Sequence, residues 1–197
     1  VLPPIDAAVY PDRDELFADL GRAYRAAVGA FAAAGCRYLQ LDEVFIAMLC
    51  DASYRQKMVA RGDDPNELLE RYASLINEAV ADIPDDMTVT LHLCRGNFKS
   101  TFMGSGGYEA VEDVLFNAVN VHGYFMEYDD ERSGGFEPLR LLPKGKTVAP
   151  GLVTTKRAGL EGSPCASPSG FTILTGRRDR GRLPSPPRSG GCGRLRS

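Results

Sequence analysis

One stretch, Thr88 to Phe98 (T-V-T-L-H-L-C-R-G-N-F), restricts the fold more than any other. Thr88, Val89, Thr90, Leu91 and Leu93 are strand formers, and Arg95-Gly96-Asn97 is a turn signal that stops them. Side chains at i and i+2 of a strand share a face, so His92 and Cys94 stand side by side at its C-terminal end. An imidazole nitrogen and a thiolate are ligands that zinc prefers. Taken alone, the pair reads more readily as a hydrogen-bonded core histidine beside a buried cysteine. Its surroundings decide between the two.

The text around this strand alternates. Asp12-Arg13-Asp14-Glu15 has the spacing of a helix N-cap, and Leu16, Leu20, Tyr24, Val28 and Phe31 follow at helical spacing before Gly35 closes the run. Cys36 to Glu43 is short and β-prone and ends in two carboxylates, Asp42 and Glu43. Asp64 and Pro65 cap and open the next helix, whose apolar face carries Leu68, Leu69, Tyr72, Leu75 and Ile76; Pro84 ends it. After the His92 strand, a glycine-rich loop at 104–107 leads to a third helix with Val111, Val114 and Leu115. Val121 to Glu127 is a third strand, and a fourth lies around Thr147 to Thr154. Strands alternating with helices predict βα units and a parallel sheet, barrel or open. The reactive side chains all fall at strand C-terminal ends, where such folds place their sites.

Beyond Lys156 the composition changes. In residues 157–197, 19 of 41 are Gly, Pro or Ser and 8 are Arg. So few apolar side chains cannot offset chain entropy, and this tail is expected to be disordered. Charge divides at the same place: residues 1–156 carry −9 and residues 157–197 carry +6. An acidic folded part argues against nucleic acid as a partner, and an Arg-rich binding tail is the lesser reading. No apolar run approaches the ~18 residues of a membrane span. The 5 cysteines lack the spacing of a disulfide framework and read as reduced thiols of a cytoplasmic protein.

In a parallel sheet the strand ends meet in one mouth. There His92, Cys94 and Glu127 would offer zinc N, S and O donors, with Asp42 beside them as an unmetallated carboxylate. On local sequence alone, Glu127 reads equally as a solvated acidic turn and Asp42 as a capping or salt-bridged carboxylate. Asp129, Asp130 and Glu131 read as a solvated acidic face partly neutralised by Arg132. The stretches Y-L-Q-L-D-E (38–43), T-L-H-L-C-R-G-N-F (90–98), G-G-Y-E (106–109), Y-F-M-E-Y-D-D-E-R-S-G (124–134) and L-P-K-G-K…G-L-V-T-T-K (142–156) add a specific likeness. Together they resemble the catalytic barrel of the cobalamin-independent methionine synthase family, nearest its short single-barrel members, over about residues 5–156.

The resemblance implies part of a (β/α)8 TIM-type barrel, about four βα units, followed by the tail. It implies a zinc-dependent enzyme like 5-methyltetrahydropteroyltriglutamate–homocysteine S-methyltransferase, which moves a methyl group from a folate-type or other donor to the thiol of homocysteine. Residue by residue, it implies His92, Cys94 and Glu127 as zinc ligands and Asp42 as the carboxylate that holds the substrate's amino group. Two departures stand against it. The family's early strands lie upstream of Val1. The family's second zinc cysteine, in an S-P-Q-C-G-F motif well beyond V-T-T-K, has only Cys165 as a poor positional match and no context at Cys192. The abrupt change after Lys156 is what out-of-frame translation of a GC-rich gene would yield. An impaired enzyme is therefore expected, with a non-catalytic barrel fragment as the rival reading. A weaker third reading is zinc-assisted hydrolysis, with Asp42 or Glu43 as the base.

Overall fold

The computed structural model describes residues 6–154 and 156, and the backbone of 174–175. Helix α1 (Arg13–Ala33) begins where Asp12, in extended conformation, accepts the Asp14 amide at 2.8 Å. It ends in a Schellman turn: Gly35 has φ +93°, its amide reaches the Ala32 carbonyl at 3.0 Å, and the Cys36 amide reaches that of Phe31 at 3.0 Å. Strand β1 (Tyr38–Glu43) follows. Two short helices, α2 (Phe45–Met48) and α3 (Ala52–Ala60), occupy a stretch for which the sequence offered no periodicity. Helix α4 (Pro65–Ala79) starts as expected, with Asp64 accepting the amides of Asn66 at 2.8 Å and Glu67 at 3.4 Å. Then come β2 (Thr88–Leu93), a 3₁₀ turn (Tyr108–Ala110), α5 (Glu112–Asn117) and β3 (Gly123–Glu127). Further 3₁₀ turns (Glu131–Ser133, Glu137–Leu141) lead to β4 (Thr147–Gly151) and β5 (Leu174–Thr175).

The strands lie in the order β1-β2-β3-β4-β5, the first four parallel and β5 antiparallel to β4. The parallel α/β expectation is met, and four such strands are compatible with part of a barrel. Among the described residues the sheet is open, with β1 at its edge. The expectation of a disordered tail lies outside the described residues, except that Leu174–Thr175 pair with Val148 and Thr147 where no strand was foreseen.

Val89, Leu91 and Leu93 are fully buried and join Leu69, Ala73 and Ile76 of α4 and Leu115 and Phe116 of α5 in one apolar cluster. Alternation along β2 sends Thr90 and His92 to the opposite face. The third helix is shorter than its apolar spacing suggests. Its closing carbonyls are taken by Lys146, whose Nζ donates to the Phe116 carbonyl at 3.1 Å, to that of Val119, and to the Tyr124 hydroxyl at 3.1 Å. The second lysine of L-P-K-G-K is thus a helix cap. Helix α1 is also less buried than predicted, because Tyr24 and Phe31 are more than half exposed. It meets α4 through Gly21, packed on Glu78, and through ion pairs of Arg25 with Glu78 at 2.8 Å and of Arg71 with Asp14. A groove of about 440 Å³, lined by Tyr24, Phe31, Leu39, Leu41, Tyr72 and Leu75, runs beside β1. No helix among the described residues is long and apolar enough to cross a membrane.

The glycine-rich loop is pinned at two points. Asp51 caps α3 through the Ser53 amide at 2.8 Å and accepts both the amide and the hydroxyl of Ser105 at 2.9 Å. Desolvation works against the Asp51 charge, yet these hydrogen bonds prevail and hold its carboxyl at about 2. Gly106, at φ +102°, donates its amide to the Arg132 carbonyl at 2.9 Å, and a Cβ there would stand 2.2 Å from the Cys50 carbonyl oxygen. Gly106→Ala is expected to cost at least the ~1–3 kcal/mol of a strained backbone. Gly35→Ala, also at positive φ but in open space, should cost about 1–2 kcal/mol. Urea unfolding midpoints of the two variants check the order; equal losses would show that the contact with Cys50 is not a real constraint.

Candidate metal centre

Parallel register sets the site. Asp42 of β1 lies opposite His92 of β2, and Leu93 lies opposite Met126, so the next residues of β2 and β3, Cys94 and Glu127, fall at the same level. Cys94 is one residue past β2, and its amide continues the ladder to the Glu43 carbonyl at 2.7 Å. His92 Nδ1 and Asp42 Oδ1 are 2.7 Å apart. With Nδ1 donating to Asp42, the Nε2 lone pair is left available. Nε2 lies 3.9 Å from Glu127 Oε1. Donor atoms of Asp42, His92 and Cys94 lie within 4.8 Å of one another, while Glu127 stands next to this group on the far side of the imidazole.

Glu127 is held at every polar atom. Its Oε1 accepts the Arg95 amide at 3.1 Å and its Oε2 accepts Lys156 Nζ at 3.1 Å. Its backbone is clamped by Tyr108, whose hydroxyl accepts the Glu127 amide at 3.2 Å and donates to the Glu127 carbonyl at 3.2 Å. Arg95 Nε donates to the same hydroxyl at 3.4 Å, with its guanidinium 4.3 Å from the Tyr108 ring centroid. That oxygen therefore uses its one proton and both lone pairs.

Burial pushes the Cys94 thiol above its ordinary value. The Gly96 amide, 3.4 Å from Sγ, opposes this; Asp42 and Glu127 reinforce it, and Lys156 again opposes it. Asp42 is largely exposed, so the part of its carboxylate not engaged with His92 can meet a solute. Glu43 is excluded from the site. It points to the other face of β1, where its two oxygens cap α2 through the amides of Phe45 at 2.8 Å and Ile46 at 2.7 Å. The expected acidic face after β3 is solvated only at Glu131, which is exposed; Asp129 and Asp130 are mostly buried and pair with Arg132, as expected of that arginine, at 3.0 and 3.4 Å.

Sequence reasoning placed Asp42, His92, Cys94 and Glu127 in one mouth with Asp42 unmetallated; the structure gathers Asp42, His92 and Cys94 and leaves Glu127 beside them, 3.9 Å from His92 Nε2. It assigned no role in the site to Tyr108, Arg95 or Lys156. All three lay in quoted motifs, T-L-H-L-C-R-G-N-F, G-G-Y-E and V-T-T-K, but contacts spanning 13, 19 and 29 residues leave no periodic signal.

No family model matches the chain. It is 46% identical over 157 residues to the uncharacterized protein YxjH of Bacillus subtilis (strain 168), covering 79% of this chain and 42% of that protein. It is 47% identical over 144 residues to YxjG of the same organism, also uncharacterized, covering 73% of this chain and 38% of that one. The chain thus spans about two-fifths of the length of the curated relatives it matches. Among solved structures it is similar to the "Putative Vitamin-B12 Independent Methionine Synthase" from Listeria monocytogenes, with 37% identity and a TM-score of 0.58, covering 76% of this chain and 41% of that one. The likeness to that neighbour is one of fold.

Two outcomes follow from the hydrogen bonds. Tyr108→Phe strands the backbone amide and carbonyl of Glu127 and should cost ~1–3 kcal/mol; an unchanged urea midpoint would show that the clamp is idle. Burial raises the Glu43 carboxyl from 4.5 to about 7. The folded chain then keeps a proton that the unfolded chain has lost, so this contribution makes stability fall as pH rises from about 4.5 to about 7. Denaturation midpoints across that range should decline in the parent and decline less in Glu43→Gln.

Proposed function

We propose that this chain is part of a zinc-dependent methyltransferase of the cobalamin-independent methionine synthase family, acting on the thiol of homocysteine. The observation that carries the reading is the Asp42–His92 hydrogen bond at 2.7 Å. It presents Nε2 to a space bordered by a thiol and a second carboxylate, the pattern by which a carboxylate orients a zinc-binding histidine. The donor set fits zinc: a neutral imidazole nitrogen, a thiol that ionises on coordination, and a carboxylate oxygen. His92, Cys94 and Glu127 would hold the ion, with Asp42 behind the histidine. When bound, it would supply a Lewis acid that stabilises sulfur as thiolate at neutral pH.

The protein's own groups do the positioning. Asp42 fixes the imidazole tautomer and, through its exposed part, offers a charge-assisted hydrogen bond to an amino acid ammonium. Glu127 keeps one aim because Arg95 and Tyr108 fix its backbone and side chain. The substrate sulfur forms a bond to the methyl carbon as the donor's bond to that carbon breaks, and the electron pair leaves with the donor. We place this reaction in the cytoplasm, where Cys94 stays reduced.

A second reading, a non-catalytic barrel fragment, draws on a specific observation. Among the described residues, the other free thiols are Cys36 and Cys50, and neither belongs to the metal-capable group. Metal analysis coupled to methionine formation separates the readings. The first expects near one zinc per chain, lost most in Cys94→Ser and less in Glu127→Gln, and a ~10–100-fold weaker affinity in Asp42→Ala. Turnover should be low in the 197-residue chain and recover when it is extended with the segments its longer relatives carry. Zinc content equal in parent and Cys94→Ser would remove Cys94 from the site, and no zinc in any form would favour the fragment.

A further inference from the structure

Lys156 has a position that the reading above leaves unused. Its side chain is 6% exposed, its Nζ is 3.1 Å from Glu127 Oε2, and it lies 4.4 Å from the centroid of the Phe102 ring. The opposite face of the site's chemistry is Glu127 Oε1, 3.9 Å from His92 Nε2. One carboxylate thus stands between a buried ammonium and the nitrogen that would bind metal. Among the described residues, the ion pairs made by Asp42 and Glu127 involve His92 and Lys156 alone. With so little solvent around it, the ammonium is poorly screened.

We propose that Lys156 is an internal counter-cation that competes with the metal for Glu127, weakening zinc retention and leaving any bound zinc electron-poor. The inference rests on the metal-centre reading and adds a regulation of that site. A positive charge beside a dication repels it, and the repulsion is large where the dielectric is low. A carboxylate that shares its charge with an ammonium also donates less to a metal on its other oxygen. Both effects lower affinity. The second raises the Lewis acidity available to a substrate thiol, because the metal is less satisfied by its protein ligands. In the absence of metal, the same lysine keeps Glu127 from being a buried, uncompensated charge, which is strongly destabilising.

The test is the zinc dissociation constant of the 197-residue chain, measured by competition with a chromogenic chelator. Lys156→Met should bind zinc at least ten-fold more tightly than the parent, and Lys156→Arg should stay close to it. In a Glu127→Gln background, Lys156→Met should tighten binding by less than it does in the parent, because only the direct repulsion is left to remove. The pair Glu127→Gln with Lys156→Met removes both charges, so it can be measured even if the single variant folds poorly without metal. Lys156→Gln gives a second neutral side chain and should also tighten binding. A thermal midpoint that rises more on zinc addition in Lys156→Met than in the parent would support the same conclusion without an affinity fit. If the parent binds zinc and Lys156→Met or Lys156→Gln binds it equally or more weakly, Lys156 is a positioning group or a bystander, and the inference is wrong. If none of the forms binds zinc, the metal-centre reading itself fails and takes this one with it.

Discussion

Parallel pairing in a single register is the constraint on which everything else depends. Because Asp42 faces His92 across β1 and β2, a hydrogen bond of 2.7 Å forms between their side chains. Because β3 continues the same register, Glu127 arrives at the level of Cys94. A slip of one residue between β1 and β2 would turn Asp42 away and bring Glu43 or Leu41 opposite His92. The buried run Val89, Leu91 and Leu93 opposes such a slip, since it would place the apolar set on the polar face.

Around that register the polar groups are balanced in pairs. Asp42 is answered by His92, Glu127 by Lys156 and the Arg95 amide, and Asp129 and Asp130 by Arg132. Arg132 also lies over the Phe102 ring and donates to the Gly104 carbonyl at 3.0 Å. Phe102 therefore has two cations against its ring, Arg132 and Lys156, and joins the acidic turn after β3 to the segment after β4. Mechanical support of Glu127 and control of its charge come from different neighbours, Tyr108 for the first and Lys156 for the second.

How much of this could be read from the sequence depended on how local each signal was. Asp12, Gly35, Asp64 and Pro65 act within one helical turn, so the ends of α1 and the start of α4 were legible. The alternation in β2 was legible for the same reason, and with it the placing of His92 and Cys94 on one face. Helices α2 and α3 were not, because the first is held by Glu43 and the second by Asp51 rather than by an apolar stripe. Tyr24 and Phe31 misled, since apolar spacing cannot say whether a partner surface is present. The roles of Tyr108, Lys146 and Lys156 depend on contacts across the sheet that spacing alone does not encode.

Among the described residues β1 has one unpaired side, which has a consequence for how they behave in company. An edge strand offers a row of amides and carbonyls to any extended peptide that drifts alongside. Here the offer is reinforced by the exposed rings of Tyr24, Phe31 and Tyr38 and by the groove beside them. Such a border is adhesive. Handled at high concentration, the chain should cluster through this flank first, while the mouth formed by Cys94 and Glu127 lies deeper in the sheet, shielded from that traffic by β1 itself.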